Sequence, residues 1–223
     1  MRPIGRVAKW QEGFALSRVV MVVAVLCLLA IGAVLVQSLI EGSRIRQAID
    51  DLNGTTAAVF AYQDRYGRTP GDDGPAATLA ARGAGWSGVI AGDVDGSLGV
   101  GPNQIFSGDG ESGPFWQQLK AAGFISGDPA IAGQAALPDN PWGGLISVLG
   151  SKMGGGLDGN KVCLSQVPGS AALEIDSELD DGAGASGGLR ATLGSEGANT
   201  NPSNAILASP YSQESIYTIC YRM

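Results

Sequence analysis

The most continuous feature of the chain is an apolar run from Val19 to Ile40, rich in Val, Leu, Ile, Ala and Met and without one charged residue. As a helix it measures about 33 Å, enough to cross the hydrocarbon core of a bilayer. From Ile45 onward the apolar positions become periodic. Ile45, Ala48, Ile49, Leu52, Thr56, Val59 and Phe60 recur at the three-and-four spacing of one helical face, while Arg44, Arg46, Asp50, Asp51, Gln63 and Asp64 fill much of the remainder. Gly67 and the Pro70-Gly71 pair mark the end. Together the two patterns predict one helix from Phe14 to Tyr66, about 80 Å long. Its first half needs lipid or other such helices around it, and its second half needs a domain of its own.

The rest of the chain changes period again. Residues 113–122 set Phe115, Trp116, Leu119 and Ala122 on one helical face, with Ser112 as N-cap and Gly123 closing the C-terminus. Strands are predicted over 145–149, 161–166, 189–193 and 215–221, and one or two helical turns over "AALEIDSEL". The runs 154–156 and 183–188 read as surface loops. A long helix, short helices and an antiparallel sheet make an α+β domain. Trp86, Trp116 and Trp142 read as core residues of it.

Charge gives the chain a direction. Arg2, Arg6, Lys9 and Arg18 precede or open the apolar run with only Glu12 against them, so the N-terminus stays cytoplasmic and the remainder is exported. A cleaved signal peptide is the competing reading, but its apolar part is shorter, about 7–15 residues, and ends in a small-residue site that is not evident here. The net charge of −7 disfavours nucleic acid as a main ligand. The chain has no His, which removes Ser-His-Asp, Cys-His and His-zinc chemistries.

Two of the three cysteines, Cys163 and Cys220, lie in predicted strands of the exported part, where an oxidising compartment permits a disulfide; the alternative is two buried free thiols. Cys27 sits in the apolar run. The acidic turns offer oxygen ligands. "GDVDGSLG" sets Asp93 and Asp95 two apart before Gly96, an alternation that can aim carboxylates at one calcium ion. Asp109, Glu111, Asp176, Asp180 and Asp181 are further candidates, and plain Asp-Gly turns are the alternative for all of them.

In "EGFALSRVVMVVAVLCLL" a short basic leader ending in Gly13 is followed by Phe14 and the apolar helix. "FAYQDRYGRTPGDD" carries Y-x-x-x-Y-G-x-x-P-G-D, "GDGESGPFWQQLKAAGFISGD" carries E-x-x-x-x-W-x-x-L-x-x-A-G, and "LPDNPWGG" and "EIDSELDDG" follow in order. In these features the chain resembles the type IV pilins and the pseudopilins of type II secretion. The resemblance implies a leader at 1–13, a transmembrane part of the helix at 14–40, its exported half at 41–66 and a globular domain at 67–223. It implies that a prepilin peptidase cuts after Gly13 and that Phe14 is methylated. The protein would rest as a single-pass inner-membrane protein among lipid, then join other pilin-like subunits in a periplasmic or cell-surface filament. No cofactor is implied beyond the calcium that some pseudopilins hold in a loop. The family usually has Glu at the fifth mature position, where this chain has Arg18. That exchange points to a minor subunit, because a cation there cannot pair with a neighbour's N-terminal amine; the alternative is an interfacial arginine that reaches up to the lipid headgroups. A membrane-anchored exported carbohydrate-active enzyme and an adhesin scaffold are the alternatives.

Overall fold

The computed structural model describes residues 12–202 and 208–223, with the side chains of residues 12–17, 30–35 and 155 outside that description. The chain divides after Ser43 into two compact units. Helix α1, Glu12–Tyr66, runs for 55 residues.

In the first unit every described side chain of residues 18–29 and 36–40 is exposed. Met21, Leu28 and Leu39 show 70%, 69% and 70% of their surface. Among the described residues no helix is long and apolar enough to cross a membrane. Residues 30–35, in the middle of the expected span, are among those whose side chains lie outside the description. So does most of the expected leader, residues 1–11; Gly13 and Phe14 fall within α1.

In the second unit α1 buries Ile45, Ala48, Ile49, Leu52, Thr55, Val59 and Tyr62. The expected stripe needs correction near its end, because Phe60 is 57% exposed and Tyr62 fully buried. Successive residues turn by about 100°, so a face that continues through positions 52, 55, 59 and 62 leaves position 60 at its side. Thr56 is half-buried, its hydroxyl donating to the Leu52 carbonyl at 2.9 Å.

Beyond α1 come a short helix α2 at Ala76–Ala80, a 3-10 turn at Ala84–Trp86 and helix α3 at Ser112–Ala121. Gly123, at φ 78°, follows the C-cap as expected. The N-terminus differs from expectation. Ser112 is the first helical residue, and its hydroxyl donates to the Ile105 carbonyl at 3.0 Å instead of capping. Strands β1 (Ile146–Leu149), β2 (Lys161–Pro168), β3 (Leu189–Leu193) and β4 (Ile216–Arg222) complete the unit with helix α4 at Gly169–Leu179. The last is longer than the expected turn or two, and the expected loop at Gly154–Gly156 is a 3-10 turn.

The four strands form one antiparallel sheet in the order β1-β2-β4-β3. Consecutive residues of β1 and most of β2 and β3 are buried, so both faces of the sheet are covered. Helix α3 packs on β1, and α4 packs across β2, β3 and β4. Between Leu164 and Val167 the β2–β4 register shifts at a bulge that holds Gln166 at φ 56°.

Candidate functional site

The residues singled out for chemistry fall in four places. The first is the start of α1, where Arg18 is exposed and the described apolar side chains after it have nothing over them. An exposed apolar stretch of this length marks a surface that meets lipid or protein. Cys27 is a free, exposed thiol on the same stretch.

The second is the sheet. Cys163 of β2 and Cys220 of β4 are register partners and are joined by a disulfide, with their Cα atoms 4.0 Å apart. Both are fully buried. The link ties the last strand to its neighbour across 57 residues of chain.

The third is the loop after α2, and it is built from buried carboxylates. The Asp72 carboxylate accepts the backbone N–H groups of Asp95 at 2.9 Å and Gly96 at 3.0 Å. Glu111, the residue before α3, accepts those of Asp93 at 3.1 Å and Gly99 at 2.6 Å. Two carboxylates thus pin the 93–99 segment from below. Gly92 has to be glycine for this approach, since a Cβ there would lie 2.2 Å from the Gly71 carbonyl oxygen and 2.6 Å from Glu111 Oε1. Burial pushes the carboxyls of both Asp72 and Glu111 above the usual range, against the lowering effect of the N–H groups they hold.

Asp93, singled out from sequence, meets Asp72 and Glu111, one oxygen of each lying within 4.8 Å of the others. That is an all-oxygen donor set of the kind hard divalent cations take. Asp95 is placed differently, its carboxylate accepting the Ser97 N–H at 2.8 Å within its own turn. Asp109 belongs to neither acidic group.

Beside this loop, Asp73 pairs with Arg82 at 2.7 Å and accepts the Tyr62 hydroxyl at 2.7 Å. The Arg82 guanidinium lies 4.1 Å from the centroid of Tyr66 and 4.7 Å from that of Trp86. Gln118 closes the network by accepting the Gly71 N–H at 2.7 Å and donating to the Ile90 carbonyl at 3.0 Å. Sequence reasoning gave no role to Asp72, the last position of the Y-x-x-x-Y-G-x-x-P-G-D stretch, or to Asp73, Arg82 or Gln118. Their partners lie from 9 to 56 positions away, beyond any local spacing rule.

The fourth place is the turn after α4, where Asp176, Asp180 and Asp181 converge. Each serves the fold. Asp176 accepts the Tyr211 hydroxyl at 2.6 Å, Asp180 the Leu189 N–H at 2.9 Å, and Asp181 the Ser186 hydroxyl at 2.6 Å. Trp86 and Trp116 are buried, and Trp142 is partly buried against the core.

No family model matches the chain, and no curated protein matches it. Among solved structures, a type IV b pilin from Salmonella typhi is similar at 24% sequence identity, over 56% of this chain and 85% of that one, with a TM-score of 0.29. The functional reading therefore rests on the chain's own residues.

Proposed function

We propose that the protein is a structural, minor subunit of a type IV pilus or of a type II secretion pseudopilus-like filament. The observation that carries the reading is the bare apolar stretch of α1 placed directly after a basic segment that ends in Gly13-Phe14. Such a stretch is unstable in water and needs lipid before assembly and neighbouring helices after it. Cleavage after Gly13 by a prepilin peptidase removes Arg2, Arg6 and Lys9 together and leaves the apolar helix in place as anchor. Phe14 then carries the new, methylated amine. The α+β unit that follows, with its disulfide, is the exported part, held at the inner membrane until it joins other pilin-like subunits in a filament.

Mass measurement of the full chain, co-produced with a prepilin peptidase and extracted from membranes, tests the reading. The expected product begins at Phe14 with one added methyl group. A product that keeps Met1, or one that begins beyond Ile40, overturns it. An anchored enzyme or adhesin scaffold needs no cut at Gly13, so the same measurement separates those alternatives.

A further inference from the structure

Lys161, the first residue of β2, has a fully buried side chain. Lysines are almost never buried to that degree unless they are paired, and among the described residues Lys161 is in no ion pair. Its amine donates to the Gly159 carbonyl, two positions back in the preceding turn. On one side its register partner is Leu149 of β1, a strand without a charged residue. On the other side it is Arg222 of β4, a second cation. The carboxylate that acts on it, Asp158, is exposed and already pairs with Lys152 at 3.2 Å. Burial lowers the Lys161 amine to about 8, with Asp158 opposing the effect and Arg222 adding to it. At neutral pH the closed structure therefore holds a charged amine away from water, an arrangement that costs free energy.

The turn before Lys161 has two fixed ends and a soft middle. At one end Gly150 and Ser151 donate their N–H groups to the Val100 carbonyl at 3.1 and 3.3 Å, in a loop, 98–100, that carries no charge. At the other end the Met223 N–H donates to the Asn160 carbonyl at 3.0 Å. Between them Gly154, Gly155, Gly156 and Gly159 have no side chain to pack. Of the described side chains from 152 to 159, only Met153 and Leu157 are buried, each 3% exposed. The Met153 N–H donates to the Leu157 carbonyl at 3.1 Å, which folds the two residues inward together. A segment with so few buried apolar residues opens locally at low cost.

We propose that residues 152–159 form a proton-operated latch: a neutral Lys161 amine keeps the turn closed with Met153 and Leu157 inside, and a charged one opens it, which hydrates the amine and uncovers both apolar side chains. The sign follows from linkage. In the closed turn the amine titrates below its ordinary value near 10.4, so the stability of the closed state is greatest above that value. It is lost as pH falls through the closed-state value of about 8, and further acidification takes away no more. The Asp158–Lys152 pair is exposed and weak, so Asp158 is available to the amine once the turn is open. The latch is a property of the second unit alone and holds whether or not the chain joins a filament.

The test uses the full chain in detergent and reads the opening as oxidation of Met153 by hydrogen peroxide, followed by peptide mass spectrometry and corrected with free methionine at each pH. Met153 is expected to oxidise about tenfold faster at about pH 6.5 than at about pH 9.5. Lys161→Met keeps an apolar stem and lacks the charge, and is expected to oxidise slowly at Met153 at both values. Equal rates in the unaltered chain, or a pH dependence that survives in Lys161→Met, overturns the proposal. A second measurement needs no variant to fold: the ε-carbon resonance of Lys161 is expected to titrate near pH 8, with the Gly159 amide resonance moving at the same midpoint. A Lys161 midpoint at the ordinary lysine value overturns the proposal as well. Failure of cleavage at Gly13 leaves all of these outcomes as they are, so the two readings fail separately.

Discussion

At the scale of single residues, the second unit depends on carboxylates used as backbone acceptors. Glu111 is the sharpest case, because it serves two N–H groups at once. Hydrogen bonds to charged groups contribute about 1.5–3 kcal/mol each, so Glu111→Ala is expected to cost about 3 kcal/mol in chemical denaturation. Glu111→Gln keeps one oxygen and should cost less. The pH dependence has a definite sign. Asp72, Glu111 and Asp176 all have carboxyls raised by burial. A raised folded-state pKa contributes stability that is present below the unfolded value, near pH 4, and lost as pH climbs through the folded value. The denaturation midpoint is therefore expected to fall between about pH 4 and neutrality, and Asp72→Asn with Glu111→Gln should flatten that slope. A midpoint that rises across the window contradicts it. Asp93 was legible in the sequence because Asp-x-Asp-Gly is a local spacing. Asp72 was not, since what makes it matter is a fold that brings residues 72, 93 and 111 to one point.

At the scale of elements, periodicity located the strands within a few residues and left their order open. All four read as short strands, and nothing local ranks their neighbours; the placing of β4 between β2 and β3 is a tertiary fact. The cysteines alone hinted at it, since a cross-strand disulfide requires neighbouring strands. In the chain-entropy view a crosslink closing this loop contributes about 4 kcal/mol. Cys163→Ala with Cys220→Ala is expected to lower stability by that order, read as a shift in the denaturant midpoint at unchanged slope. Because the two sulfurs are bonded to each other, the unreduced protein should show no thiol reactivity at these positions even under mild denaturation. α1 ends at Tyr66 as expected, but its buried face near that end differs from the expected stripe for a simple reason. A three-or-four rule offers a choice at every step, and only packing decides that Tyr62, bonded to Asp73, takes the inside while Phe60 does not.

At the scale of the whole molecule, the filament reading turns on Arg18. Two cations facing one another in a dry helical core repel strongly, so copies of this chain are not expected to polymerise with themselves. Produced alone it should give no filaments, whereas Arg18→Glu should permit them, and shearing followed by electron microscopy distinguishes the cases. Abundant homopolymer from the unaltered chain removes the minor-subunit claim and leaves the α+β unit as described. The sheet order carries one more consequence. β4, which follows the other three strands in the chain, is an interior strand, and among the described residues β3 has no other strand beside it. The sheet therefore cannot close behind a ribosome or a translocation pore while residues 216–222 are still inside. Until they emerge, β2 is paired on its β1 side alone, β3 has no strand to pair with and Cys163 is an open thiol, so the sheet and its crosslink close in one step when that segment comes free.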